Sequence, residues 1–147
     1  MPEFQSEFIR SQGQPINYKG KKLQKIDYFD VGKKGKIRIT FFNTNSEWEQ
    51  GIYLKTDKTL SYDNDKVKDI RFWEAYSPEF IDVEFETKNG LLEVWNVWDT
   101  GDGVVHAWHN GAAMIVEEIE HGKLYHCNEG HPDDNFDDLV LKIEILK

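Results

Sequence analysis

The sequence has 147 residues, with 27 acidic and 18 basic side chains that give a formal net charge of −9. This length is enough for one domain with an ordinary hydrophobic core, and the negative charge argues against a nucleic-acid backbone or an anionic membrane as the main partner. Hydrophobic residues make up 39% and aromatic residues 14% of the chain, which is typical of a packed globular protein and too apolar for a disordered one.

Cysteine usage and the N-terminal residues bear on the cellular compartment. Cys127 is the single cysteine, so an intramolecular disulfide is excluded. The first residues lack the basic region and apolar core of a signal peptide. No apolar run approaches the roughly 18 residues that a membrane span needs. We therefore expect a cytoplasmic protein.

The chain divides into an N-terminal arm and one domain. Residues 1–20 contain Gly13, Pro15 and Gly20 among polar side chains, which predicts an irregular arm. Residues 21–147 are predicted to form a single β-sandwich domain. Within it, Thr56–Lys58 is predicted to be the turn of a short hairpin, and Val67–Tyr76 fits either a strand or a short helix.

Alternation of apolar and polar side chains predicts most of the strands. The clearest are Ile37–Phe41 and Ile81–Phe85, together with a C-terminal strand at Leu139–Leu146. Many short strands without a long helix predict an all-β fold. We expect an antiparallel two-sheet β-sandwich of the jelly-roll type, or a barrel, with at most one short helix.

The stretch Ile81–Asn128 reads as four strands joined by three tight turns. Asn89-Gly90 supplies the positive backbone angles of a type I′ turn, which predicts a hairpin that pairs Glu84 with Trp95. Trp98 then faces the core. Trp95 faces the acidic side, which bears Asp82, Glu84 and Glu86.

The second turn decides where the next tryptophan and histidine point. A four-residue loop at 100–103 places His106 opposite Val97 and Trp108 opposite Trp95. A three- or five-residue loop would reverse both side chains. The sequence predicts the four-residue loop.

The remaining turns complete a predicted binding face. Asn110-Gly111 as a two-residue turn sets His106 opposite Ile115, and His121-Gly122 as the last turn sets Glu117 opposite His126. The three registers together predict one sheet face that bears Trp95, His106, Trp108, Glu117 and His126.

The histidines and the cysteine suggest chemistry that the spacing supports weakly. His106, Glu117 and His126 have the composition of a two-histidine, one-carboxylate metal set. They lack the His-x-His spacing that puts two ligands on one strand face. We interpret them as hydrogen-bonded polar groups and assign no metal or cofactor, with the metal alternative left open. Cys127 is predicted to be a small buried hydrophobe.

The first functional hypothesis is a non-catalytic recognition domain. The sequence contains no phosphate-binding glycine loop, Ser-His-Asp pattern or nucleophile elbow, so an enzyme is the weaker expectation. We expect a domain of the inhibitor or toxin-neutralising type that binds a basic protein. Trp95 and Trp108 would be its anchors, and Asp82 and Glu84 would attract the partner.

The second hypothesis uses the same face for a small ligand. Trp95 and Trp108 can stack on a sugar ring, while His106, Glu117 and His126 supply hydrogen bonds or hold the metal of an enzyme.

Overall fold

The computed structural model describes residues 4–44, 48–99, 101, 103, 105–107, 112–129, 136 and 138–146. The fold is all-β, as predicted: a large antiparallel sheet nearly closes into a barrel, with a small two-stranded sheet beside it. The helical elements of these residues are α1 (Gln5–Arg10) and a 3-10 turn (Glu74–Tyr76). The strands are β1 (Ile16–Tyr18), β2 (Lys21–Leu23), β3 (Asp27–Asp30), β4 (Lys34–Thr44), β5 (Glu49–Tyr62), β6 (Asp65–Trp73), β7 (Phe80–Glu86), β8 (Leu91–Asp99), β9 (Val105–His106), β10 (Ala113–Ile119), β11 (Gly122–Asn128) and β12 (Leu139–Leu146).

The large sheet closes at a seam between its first and last strands. Its order is β10-β11-β12-β4-β7-β5-β8-β3, with β6 paired to β5 and β9 paired to β8. Gln24, just before β3, and Met114 of β10 exchange two backbone hydrogen bonds, each N–H donating to the other's carbonyl at 2.8 Å. These bonds bring the two ends of the sheet together.

The core lies inside the barrel because each strand turns one set of alternating side chains inward. In β7, Ile81, Val83 and Phe85 are buried, while Glu84 between them is exposed. The predicted strands at Ile37–Phe41 and Leu139–Leu146 are confirmed within β4 and β12. Fully buried aliphatic side chains around the barrel include Ile37, Ile39, Ile52, Leu54, Val94, Leu139, Leu141 and Ile143.

The long strand β5 replaces a predicted hairpin. β5 runs from Glu49 to Tyr62 without a reversal, so the turn predicted at Thr56–Lys58 is wrong. A register shift between Lys55 and Leu60 absorbs these polar residues. Asp57 in this segment accepts hydrogen bonds from the backbone N–H groups of Lys88 (2.7 Å) and Asn89 (3.1 Å). The turn-like residues therefore form an irregularity that fixes a neighbouring loop.

β7 and β8 do not form the hairpin that Asn89-Gly90 predicts. Both strands pair with the same edge of β5, β7 through residues 84–86 and β8 through residues 93–99. The chain therefore continues in one direction past Gly90, whose φ of 82° allows a local bend. Thr87 fixes that bend, since its Oγ1 accepts a hydrogen bond from the Gly90 N–H at 2.9 Å.

The last hairpin, β10–β11, turns at Glu120-His121 and not at His121-Gly122. Ile119 pairs with Gly122, so Glu117 lies opposite Leu124 and Ile115 opposite His126. Pairing is shifted by two residues from the prediction. A shift of two keeps every side chain on its predicted face, because the side-chain period of a strand is two.

The N-terminal residues differ from the irregular arm that the sequence predicts. Residues 5–10 form α1, and β1 pairs with β2. Phe4 and Phe8 are buried against Leu23, Ala113 and Phe136. Aromatic side chains at these positions thus anchor the segment on β10, a signal that the glycines and proline obscured. No helix in the described ranges has the length and apolar character of a membrane span.

One ion pair lies inside the barrel next to the seam. Asp27 accepts a hydrogen bond of 2.6 Å from the Tyr125 hydroxyl. Lys123 Nζ donates to both carboxylate oxygens of Asp27 at 3.2 Å. Gln24 Nε2 donates to the same carboxylate at 3.2 Å. Burial raises the pKa of Tyr125 well above its ordinary value, and the Asp27 charge adds to the shift. The network connects β3 with β11 across the seam.

Candidate functional site

The register of β8 and β9 separates His106 from Trp95. Asp99 pairs with Val105 and Trp98 with His106, so the connecting loop is residues 100–104, one residue longer than predicted. His106 therefore shares a face with Trp98, and its ring stacks on the indole with centroids 6.2 Å apart. Trp98 is buried, as predicted, at 2% exposure.

Trp95 lies on the other face of β8 from His106, and it is buried. Its side chain is 9% exposed, and it pairs with Tyr53 of β5, not with Glu84. The prediction that Trp95 lies beside the acidic side chains of β7 is wrong, because β7 and β8 each pair with β5 and not with each other. Trp108, the second predicted anchor, lies outside the described residues.

Glu117 and His126 lie together, as predicted, but without His106. His126 Nε2 lies 3.5 Å from Glu117 Oε1 on one face of the β10–β11 pair. In the part of the chain that the structure describes, no three histidine, cysteine or carboxylate side chains lie close enough to hold a metal ion. The predicted pairing of His106 with Ile115 is also wrong, since among the described residues β9 pairs with β8 and the edge of β10 away from β11 is bridged to Gln24. The three residues proposed as a metal set are therefore split.

The acidic side chains of β7 face a row of bases on β4. Asp82, Glu84 and Glu86 lie opposite, in order, Arg38, Lys36 and Lys34. Arg38 binds Asp82 through two hydrogen bonds, of 2.8 Å and 3.0 Å. The bond from Arg38 lowers the pKa of Asp82. Cross-strand pairing thus offsets the charges that were expected to attract a basic partner at this position.

A different surface brings aromatic and charged side chains together on β5, β6 and β8. Tyr53 of β5 lies opposite Arg71 of β6 on one side and Trp95 of β8 on the other. Trp73 and Asp69 are two positions from Arg71 in either direction, so they share its face. We name Tyr53, Asp69, Arg71, Trp73 and Trp95 the aromatic face.

Two contacts hold the rings of the aromatic face in place. Tyr53 stacks on Trp95 with centroids 4.6 Å apart and planes 9° apart. Trp73 lies over Gly51, where a Cβ atom would approach the indole Cε3 to 2.9 Å. A glycine at this position therefore leaves room for the indole beside the strand.

The aromatic face contains a recess with polar groups. Tyr53, Asp69, Ile70, Arg71 and Trp73 line a volume of about 450 Å³. The Tyr53 hydroxyl donates a hydrogen bond to Asp69 Oδ1 at 2.9 Å. Partial burial, together with this bond, raises the pKa of Tyr53. The recess thus offers an aromatic wall, a carboxylate and a guanidinium to a ligand.

A second recess, of about 740 Å³, lies over β4, β7 and the end of β5. Its charged lining includes Lys34, Lys36 and Lys66 together with Glu84 and Glu86. Lys58 Nζ also lies 2.8 Å from Glu86 Oε2. The mixture of charges gives this recess no clear preference for an anion or a cation.

A buried polar network lies where β5 and β8 meet the end of β11. Gln50 Nε2 donates to Glu129 Oε2 at 2.6 Å, and Asn96 Nδ2 donates to the Asn128 carbonyl at 2.8 Å. Asp138 is buried and accepts a hydrogen bond from the Glu129 N–H at 3.0 Å. These bonds link three strands, so we assign them a structural role. Cys127 beside them is fully buried, as predicted, and burial raises the pKa of its thiol.

The sequence contained a signal for the aromatic face that the prediction missed. Gly51 and Tyr53 are two residues apart, and Asp69, Arg71 and Trp73 form a second period-two series. Each series marks one face of a strand. The predicted turn at Thr56–Lys58 hid their proximity, because it interrupted the strand that carries Tyr53.

Comparison with models of known protein families finds no match, and comparison with curated proteins finds no related sequence.

Proposed function

We propose that this chain is a non-catalytic recognition domain that binds a protein partner through the aromatic face. The observation that carries the proposal is the position of Tyr53 and Trp73, both partly exposed, beside the exposed Arg71 on one sheet face. Tyrosine, tryptophan and arginine are the residues that dominate binding energy in protein interfaces. The proposal thus replaces Trp95 as an anchor with Tyr53 and Trp73.

The arrangement of the rings supports a binding role because it limits the entropy lost on association. Tyr53 stacks on Trp95, and the Trp73 indole lies against Gly51, so both side chains already contact the protein. Side chains that are already held need not be immobilised by the partner. Their outward faces remain available for contact.

The net charge of −9 favours a basic partner. Long-range attraction between opposite charges raises the association rate and suppresses binding to acidic proteins. We propose an inhibitor or neutralising role of this kind. We also propose a cytoplasmic location, on the ground that the single cysteine is a free, buried thiol.

The test compares variants that shorten the anchors with a matched control. Tyr53→Ala and Trp73→Ala are expected to weaken binding of a partner captured from the native cytoplasm by about 30-fold each, the effect of a hot-spot residue worth about 2 kcal/mol. Phe42 is a suitable control, because it is aromatic, 55% exposed and lies on β4. Phe42→Ala should bind like wild type. Equal binding by all three variants would refute the proposal.

The recess favours a second candidate function, binding of a carbohydrate or similar small ligand. Sugar-binding sites combine a flat aromatic ring with a few polar groups, and here the Trp73 indole lies near the Asp69 carboxylate and Arg71. A glycan array separates the two functions. Binding of a defined glycan that is lost in Trp73→Ala and retained in Phe42→Ala would favour the carbohydrate function over the protein partner.

A further inference from the structure

β6 is an edge strand of nine residues. It pairs with β5 along one edge, and no strand of the described residues pairs with its other edge. Such an edge presents a row of backbone N–H and C=O groups to solvent. These groups can pair with a strand of another molecule.

The side chains of β6 are mostly charged, and both signs occur along the strand. The strand reads Asp-Lys-Val-Lys-Asp-Ile-Arg-Phe-Trp from Asp65 to Trp73. Asp69, Arg71 and Trp73 share the aromatic face, because they are two residues apart. Val67, on the same strand, is an apolar side chain that is 37% exposed.

We propose that β6 pairs with β6 of a second copy of this chain to form an antiparallel dimer centred on Ile70. In such a dimer a two-fold axis perpendicular to the sheet relates the two strands, and the same face points outward in both copies. Because directly opposed residues share a face, one residue of β6 must lie on the axis, opposite the same residue of the second copy. With Ile70 at that position, Asp69 lies opposite Arg71 of the second copy, and the same pair recurs by symmetry. Val67 lies opposite Trp73 of the second copy, also twice. Cross-strand pairs of these types stabilise antiparallel sheets.

The charge pattern selects this centre over its neighbours. If the axis passed through Asp69, Lys68 or Arg71, that charged residue would lie opposite the same residue of the second copy. A centre on Val67 brings Lys66 opposite Lys68. Like charges directly opposed destabilise a sheet. Among positions 67–71, Ile70 is therefore the centre that opposes no like charges.

Charged side chains on an edge strand often serve to prevent pairing. In β6 the charges instead match across the two-fold axis, since Asp69 and Arg71 flank the centre with opposite signs. The axis also sets the aromatic faces of both copies side by side. The dimer thereby presents two copies of the recess on one continuous surface, a consequence that does not depend on the proposed function.

The experiment measures mass in solution by light scattering over a dilution series. Wild type is expected at twice the chain mass of 17.3 kDa at high concentration and to dissociate on dilution. Asp69→Arg and Arg71→Asp each oppose like charges, so each should remain at 17.3 kDa. The double variant Asp69→Arg/Arg71→Asp restores opposite charges and should dimerise again.

Glu120→Arg controls for the change in net charge, because its side chain is 89% exposed in a turn away from β6. It should dimerise like wild type. Circular dichroism confirms that each variant is folded. A wild-type mass of 17.3 kDa at every concentration would overturn the proposal. So would dimerisation of the single variants, or failure of the double variant to recover.

Discussion

At the scale of single residues, the same residue type has different tasks in this chain. Gly90 adopts a φ of 82° and forms a bend. Gly51 makes room for the Trp73 indole, and Gly122 lies against the backbone of Ile143 and Glu144. A sequence shows where a glycine lies but not which of these properties is used. This is why Gly122 was assigned to a turn when it is a strand residue.

Asp27 gives the clearest prediction at this scale. Its carboxylate is the acceptor for the buried Tyr125 hydroxyl and the ion-pair partner of Lys123, whose side chain is 13% exposed. Asp27→Ala removes both interactions and leaves the largely buried Lys123 ammonium with only the more distant and exposed carboxylate of Glu118, at 3.7 Å. We expect a loss of about 3–5 kcal/mol in the free energy of unfolding.

Urea unfolding measures this loss, and Asp27→Asn is the matched variant. Asparagine keeps an acceptor for the Tyr125 hydroxyl but removes the negative charge. The free energy of unfolding of Asp27→Asn should therefore lie between those of wild type and Asp27→Ala. Equal stability of the alanine variant and wild type would show that the ion pair does not hold the seam closed.

At the scale of elements, alternation predicted strands well and turns poorly. The side chains of β4, β7 and β12 alternate between core and solvent, and burial of one face is a local property that the sequence displays. Pairing is not local. β5 lies beside both β7 and β8, so the bend at Gly90 has the residues of a hairpin turn without being one.

The binding face predicted from the sequence is only partly correct, because it depended on strand pairing. Glu117 and His126 stayed together because their register was wrong by two residues, which preserves the face. His106 was lost because its loop was wrong by one residue, which reverses the face. Tyr53 and Trp73 were missed because their proximity depends on the uninterrupted length of β5.

The β10–β11 turn provides a test at this scale. Gly122→Ala should destabilise the protein by about 1–3 kcal/mol, since the added Cβ meets the backbone of β12 and neither strand can move freely. His121 has a φ of 62°. His121→Gly should therefore be tolerated or stabilise by up to about 1 kcal/mol, because glycine relieves the left-handed conformation.

Thermal or urea unfolding of both variants measures these effects. Unchanged stability with alanine at position 122 would contradict the close approach of β12, and a loss of stability with glycine at position 121 would contradict the positive φ of His121.

At the scale of the whole molecule, the barrel has an interior and two distinct outer surfaces. The interior contains the aliphatic core and the Asp27 ion pair, and the outer side of β4 and β7 carries paired charges. The aromatic face over β5, β6 and β8 combines partly exposed rings with an open strand edge. We therefore propose that recognition takes place there and not at the acids of β7, which lie opposite the bases of β4.

Site-specific photocrosslinking tests this central claim most directly. A photoreactive phenylalanine derivative replaces Trp73 in one variant and Phe42 in another, and both are irradiated in an extract of the native cells. We predict a covalent adduct with a discrete protein from position 73 and none from position 42. Adducts from position 42 alone, or from neither position, would contradict the assignment of the aromatic face as the binding surface.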